Sequence, residues 1–357
     1  MAGKKVVHVV GTGTVGEPLI GLLVNMKEPL GIDEVTFHKR TPLITDRSKV
    51  TNLMKRGARL AVDESAQKGF REIGIEPAYE HHEALRQASV VIDCTPSTVG
   101  LQNKTHFYEK YRDSTLGFVA QGSEFGFGKM YARGINERAL VKGQDQFVQV
   151  VSCNTHNLSV LVDVIALQDG GPENLAEGRF VCIRRANDIS QDGSFVPSPQ
   201  VGSHKDAQFG THHARDAYHL FATLGYKLNI YSSAMKVNSQ YMHTIWFNIR
   251  LRKPTTVDAV KARFAADERV ALTYKNSANV VFSFGRDYGH FGRILNQTVV
   301  VVSSLAVHNG TEVVGFCFTP QDGNSTLSSV AVASWFLYPE TFESKIQCLN
   351  RFIFDEV

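Results

Sequence analysis

The sequence predicts an α/β protein of two domains, a doubly wound parallel sheet followed by an α+β domain with a mostly antiparallel sheet. Three observations lead there. A valine-rich run over 5–10 enters a glycine turn and then an apolar helix pattern. Strand and helix patterns alternate up to about residue 120, as crossover connections between parallel strands require. Beyond residue 153 the texture changes, and strand candidates follow one another. At 357 residues, 43% of them hydrophobic, the chain can bury two cores.

Residues 5–10 lack polar alternation, as a strand buried on both faces should. A helix is expected over 16–26, where Leu19, Leu22 and Leu23 share a face, then a strand over 34–37. Helices follow over 48–56 and 63–72, and strands over 88–93, 116–120 and 147–151. A helix is predicted over 158–167, and the longer strand that follows begins at about 179. Residues 187–210 have loop composition, rich in Ser, Gly, Pro, Gln and Asp. After a helix over 214–224, strands are expected over 227–231, 242–251, 280–284, 297–303 and 315–318. The apolar segment 326–337 reads as a helix returning to the first domain. The division predicted is 1–151, 152–322 and 323–357.

Composition narrows the function. A net charge of +3 argues against nucleic acid and allows small anionic ligands. Five widely spaced cysteines without a C-x-x-C pair argue against a disulfide framework and a zinc site, so no metal is expected and the reducing cytoplasm is. No apolar run spans a bilayer, and a strand follows Met1 too closely for a signal peptide.

Gly11-Thr12-Gly13-Thr14-Val15-Gly16 lies between strand and helix, the context in which G-x-G-x-x-G signifies a Rossmann dinucleotide turn. Gly11 would permit the tight turn, Gly13 the approach of a pyrophosphate, and Gly16 close packing of helix on strand. The second strand ends in His38-Lys39-Arg40-Thr41 without a carboxylate for ribose hydroxyls. Lys39 and Arg40 suit a 2′-phosphate, so NADP is expected alongside NAD.

Cys153, in Val151-Ser152-Cys153-Asn154-Thr155-His156-Asn157, follows a strand and precedes a helix pattern among polar neighbours. A helix N-terminus favours thiolate, so a nucleophilic, readily ionised thiol is expected there. The other four cysteines read as core. Candidate bases are His156, the pair His212-His213, and His243; spacing does not choose among them.

These segments, with Asp93-Cys94-Thr95-Pro96, Gln121-Gly122-Ser123-Glu124, Arg184-Arg185-Ala186, Thr211-His212-His213 and Met242-His243, occur in the order found in the archaeal-type (type II) glyceraldehyde-3-phosphate dehydrogenases, which the chain resembles over nearly its whole length. The resemblance implies phosphorylating oxidation of glyceraldehyde 3-phosphate with NAD or NADP. It implies Cys153 as nucleophile, His243 as general base, and Ser152, Asn154, Thr155, His212 and His213 at the substrate. To the cofactor turn it adds Thr14, Val15, Thr95, Ser123, Arg184 or Arg185, and Gln321. Inorganic phosphate as co-substrate and a homotetramer are implied too.

The chain departs from that pattern at His156 and Asn157, at Ser123 and at Pro320, and its loop over 189–210 is longer. Two other readings stand beside this one: a related semialdehyde dehydrogenase or acyl-phosphate reductase, and a non-catalytic NAD(P)-binding homologue.

Overall fold

The computed structural model describes residues 3–193, 195–320 and 322–357. The chain divides into two compact units. One holds residues 1–129, 140–150 and 326–348, and the other 130–139, 151–325 and 349–357.

The first unit is built on β1 (Val6–Val10), β2 (Glu34–His38), β3 (Arg59–Val62), β4 (Tyr79–Glu80), β5 (Val90–Asp93) and β6 (Gly117–Gln121). With β7 (Lys129–Tyr131) and β8 (Phe147–Val150) they form an eight-stranded sheet of order β4-β3-β2-β1-β5-β6-β8-β7. The ladders from β4 through β8 are parallel. All five residues of β1 are buried, as the valine run requires. The order reverses at β1 and β5, where parallel sheets open a crevice beyond their carboxyl ends. The segment 326–348 packs within this unit: Tyr338 donates its hydroxyl to the Gly31 carbonyl at 2.6 Å, and Lys5 lies 3.5 Å over its ring.

The second unit carries β9 (Leu175–Arg184), β10 (Gln200–Val201), β11 (Ile230–Lys236), β12 (His243–Leu251), β13 (Val270–Thr273), β14 (Thr298–Val301), β15 (Ala306–His308) and β16 (Glu312–Thr319). The order is β10-β11-β9-β12-β16-β14-β13, with β15 on β16. Most ladders are antiparallel, but β9 with β11 and β13 with β14 are parallel. Each parallel pair is joined by a helix, His212–Ala222 or Ala278–Tyr288, which supplies the crossover such pairing needs.

That second helix corrects the strand expected over 280–284. Val281 and Gly285, four residues apart, turn inward while Val280 and Tyr288 stay exposed, which is helical spacing. A Cβ on Gly285 would lie 2.9 Å from the Gly292 carbonyl oxygen, so the small residue sets the packing distance. The helix expected over 158–167 starts five residues earlier, as Cys153–Val162, and continues as a π turn over Asp163–Leu167. The strand expected over 227–231 is displaced to Ile230–Lys236.

No described helix is long and apolar enough to cross a membrane.

Candidate active site

In the first unit, the glycine turn shows a distinct demand at each glycine. Gly11 has φ +98°, and a Cβ there would meet the Cys94 carbonyl oxygen at 3.0 Å. A Cβ on Gly16 would sit 2.1 Å from the Gly11 carbonyl oxygen. Around Gly13 there is nothing within 4 Å, so space is open where a pyrophosphate would approach. The helix Gly16–Asn25 begins at an N-cap, Val15, that makes no side-chain cap hydrogen bond. The first turn of a helix so begun suits an anion. The turn fits a dinucleotide.

Its surroundings are braced. Asp93 accepts from Tyr108 at 2.5 Å, Asn103 at 2.8 Å, and both the backbone N–H and the hydroxyl of Thr95. Thr95 therefore holds Asp93 in place. Glu124 accepts from the N–H groups of Thr98 and Leu101, at 2.5 and 3.1 Å, at the start of the helix Val99–His106. Ser123 lies half-buried between it and Gly122, whose φ is +80°. Lys39 makes an ion pair with Asp46 at 2.6 Å, while Arg40 is exposed.

In the second unit, the thiol and its candidate partners meet at one end of the sheet. That end collects the last residue of β9, the first of β12 and the last of β16, since β12 runs antiparallel to both. Cys153 opens the helix Cys153–Val162, whose N-cap Ser152 accepts from the Thr155 N–H at 3.4 Å. Asn154 donates its backbone N–H toward the Cys153 sulfur.

The expected ionised thiol is corrected here. Burial pushes the Cys153 thiol up to about 12, Asp322 and Asp188 add to the rise, and Arg185 with the Asn154 N–H only partly opposes it. The residue is half-buried. Desolvation outweighs the helix terminus, so the resting Cys153 is a neutral thiol.

Arg185 organises this end of the sheet. Its buried guanidinium donates to Asp188 at 2.7 Å and to the Tyr241 carbonyl at 3.3 Å, and lies 3.9 Å from Asp322. Its backbone N–H donates to His243 Nδ1 at 3.1 Å. Nδ1 being an acceptor, the neutral ring carries its hydrogen on Nε2. Burial, then Arg185 and Arg184, hold His243 well below the usual imidazole range.

His213 Nδ1 lies 3.4 Å from Ser152 Oγ, and its ring is 3.9 Å from that of His212. Burial keeps His213 far below its ordinary value and lowers His212 to about 4, with exposed Arg184 adding to both. Thus Ser152, His212, His213, His243, Arg184 and Arg185 share the sheet end with Cys153.

Other predicted residues serve the frame. The Asn154 carboxamide oxygen accepts from Thr319 at 3.0 Å, and the Thr155 hydroxyl lies 2.9 Å from that of Ser152. His156 is fully buried and its Nδ1 donates to the Ser152 carbonyl at 3.0 Å, tying down the helix start. Gln321 lies outside the described residues.

Sequence reasoning missed Asp188, Asp322 and Asn324. Asn324 donates to the Cys153 carbonyl at 3.0 Å, and Asp322 adopts φ +53° just before Gly323. The Asp-Gly pair was the available signal: a Cβ on Gly323 would fall 1.7 Å from the Ile294 carbonyl oxygen.

No family model matches the chain. Among characterised proteins it is 29% identical over 320 residues to "Glyceraldehyde-3-phosphate dehydrogenase" of Methanobacterium bryantii, covering 86% of each chain. It resembles the archaeal glyceraldehyde-3-phosphate dehydrogenases. The enzyme of that name from Pyrobaculum islandicum is 26% identical over 311 residues, covering 84% of this chain and 83% of its own. That of Metallosphaera sedula is 25% identical over 320 residues, covering 86% and 85%. The similarity to these dehydrogenases thus extends through both units.

Proposed function

We propose that the protein is an NAD(P)-dependent phosphorylating dehydrogenase that converts glyceraldehyde 3-phosphate to 1,3-bisphosphoglycerate through a thioester on Cys153. The observation that carries this reading is the half-buried thiol at a capped helix N-terminus, beside Arg185, the Asn154 N–H and the sheet end bearing His243. The names of the archaeal relatives support the substrate, and the Gly11–Gly16 turn supports a dinucleotide. The cytoplasm as its location and a homotetramer as its assembly belong to the same reading.

In the mechanism the Cys153 sulfur bonds to the aldehyde carbon and the thiol proton ends on the carbonyl oxygen, giving a thiohemiacetal. Because the thiol is neutral at rest, its proton leaves as the sulfur attacks. His243 is neutral, as an acceptor must be. In the resting tautomer, however, its lone pair is committed to the Arg185 N–H. The base role therefore requires that bond to be given up, so that Nε2 presents the lone pair. The Asn154 N–H is suited to the oxyanion. Gly11, Gly13, Thr14, Val15 and Gly16 would hold the cofactor, with Thr95, Ser123 and Arg40 bordering it. Bound NAD(P) would supply the hydride acceptor, and His243 Nε2 would take the hydroxyl proton as the thiohemiacetal becomes the thioester. A phosphate oxygen then attacks the thioester carbon and Cys153 leaves as thiolate.

His212 and His213, both neutral, are proposed to donate hydrogen bonds to the substrate phosphate, and exposed Arg184 to supply the charge. A semialdehyde dehydrogenase would keep the thiol but dispense with the histidine pair.

Reduction of each cofactor with glyceraldehyde 3-phosphate, with and without phosphate or arsenate, tests the proposal. Phosphate-dependent turnover is expected. Turnover only with carboxylate-bearing aldehydes, or none with either cofactor, would overturn it.

A further inference from the structure

Away from the thiol, the carboxyl ends of β2, β3 and β4 bring together His38, Asp63 and His81. One potential ligand atom from each lies within 4.8 Å of the others. His38 Nε2 and Asp63 Oδ1 are already 3.2 Å apart, close to the separation of about 3.3 Å that two ligands keep on one tetrahedral zinc ion. His81 is 5% exposed and, among the described residues, its Nδ1 has no hydrogen-bond partner. Next to it, fully buried His8 bonds Thr36 through Nδ1 at 2.7 Å and leaves Nε2 unpartnered.

We propose that His38, Asp63 and His81 form a binding site for a zinc-class divalent transition-metal ion in the first unit. Two imidazoles and a carboxylate are a borderline donor set, which favours Zn²⁺ or Co²⁺ over Mg²⁺ and Ca²⁺. A ligating imidazole must be neutral. His38 ends β2, Asp63 follows β3 and His81 follows β4, so three neighbouring parallel strands position the ligands.

The plainer account is a stack of packed rings, since the His38 and His81 centroids are 3.9 Å apart. Stacking leaves the buried nitrogens of His81 and His8 unsatisfied, a cost that ligation or a metal-bound water would remove. The sequence hides the set because its members stand at 38, 63 and 81, unlike a C-x-x-C or H-x-x-x-H pattern.

The test uses the full chain, freed of metal with chelator and titrated with Co²⁺ by absorbance and calorimetry. One saturable equivalent is expected, with a visible d–d band that Zn²⁺ abolishes and millimolar Mg²⁺ does not. Asp63→Asn, at a half-exposed position that leaves the core intact, should weaken Co²⁺ at least tenfold, and His81→Gln should do likewise. Circular dichroism would verify that both variants are folded. Absence of saturable uptake by the wild type, or uptake with the same affinity in folded Asp63→Asn, would overturn the site. Neither result depends on dehydrogenase activity.

Discussion

The reactivity of Cys153 with a small neutral disulfide is predicted to keep rising with pH far beyond the range of an ordinary cysteine. Its thiol stands at about 12 because burial removes it from water and Asp322 adds negative charge. At pH 8 such a thiol is ionised in about one molecule in ten thousand, against about one in four for a free cysteine. The more basic thiolate is the better nucleophile, which recovers roughly forty-fold of that deficit. The net expectation is exchange roughly fifty-fold slower than a free thiol. Peptide mapping after timed quenches would isolate Cys153 from half-buried Cys348. The rate should climb about tenfold per pH unit from 7 to 10. Asp322→Asn should accelerate it several-fold at pH 8. A rate that levels off below pH 9, or one insensitive to Asp322→Asn, would refute the electrostatic reasoning.

Three further outcomes follow from other parts of the chain. Gly16→Ala should cost about 1–3 kcal/mol in urea unfolding, since its Cβ would press on the Gly11 carbonyl, whereas Gly13→Ala should leave stability unchanged and weaken NAD(P) in a binding titration. His156 lies at about 4 when folded, below its unfolded value near 6.5, so its contribution is intact above pH 6.5 and is lost as pH falls through 4. By pH 4.5 that loss amounts to about 2.5 kcal/mol, and His156→Gln should flatten the acid limb of a urea-midpoint profile accordingly. Freeing Lys39 with Asp46→Asn should tighten NADP relative to NAD, while Lys39→Ala combined with Arg40→Ala should weaken NADP selectively; equal effects on the two cofactors would remove both residues from the ribose site.

The legible parts of the sequence were those governed by local rules. A valine run with three spaced glycines announced β1 and its turn, and the strand before Cys153 with the polar run after it placed the thiol near a helix start. What stayed hidden depends on contacts between distant segments. The raised thiol of Cys153 comes from burial first and then from Asp322 and Asp188, against Arg185, residues with no common spacing in the sequence. The run over 280–284 was read as a strand because it is rich in β-branched and aromatic residues, while the burial of Val281 and Gly285, which marks the helix Ala278–Tyr288, is a tertiary matter. His156 seemed a candidate partner of the thiol, yet it is fully buried and its Nδ1 is spent on the Ser152 carbonyl.

Whether Cys153 carries the acyl group is tested most directly by mass spectrometry of protein mixed with glyceraldehyde 3-phosphate and NAD(P) in the absence of phosphate, then quenched in acid. The account predicts a 3-phosphoglyceryl thioester on the Cys153 peptide, discharged on adding phosphate and absent in Cys153→Ser. Cofactor reduction with no adduct at Cys153, or an adduct that persists in Cys153→Ser, would contradict it.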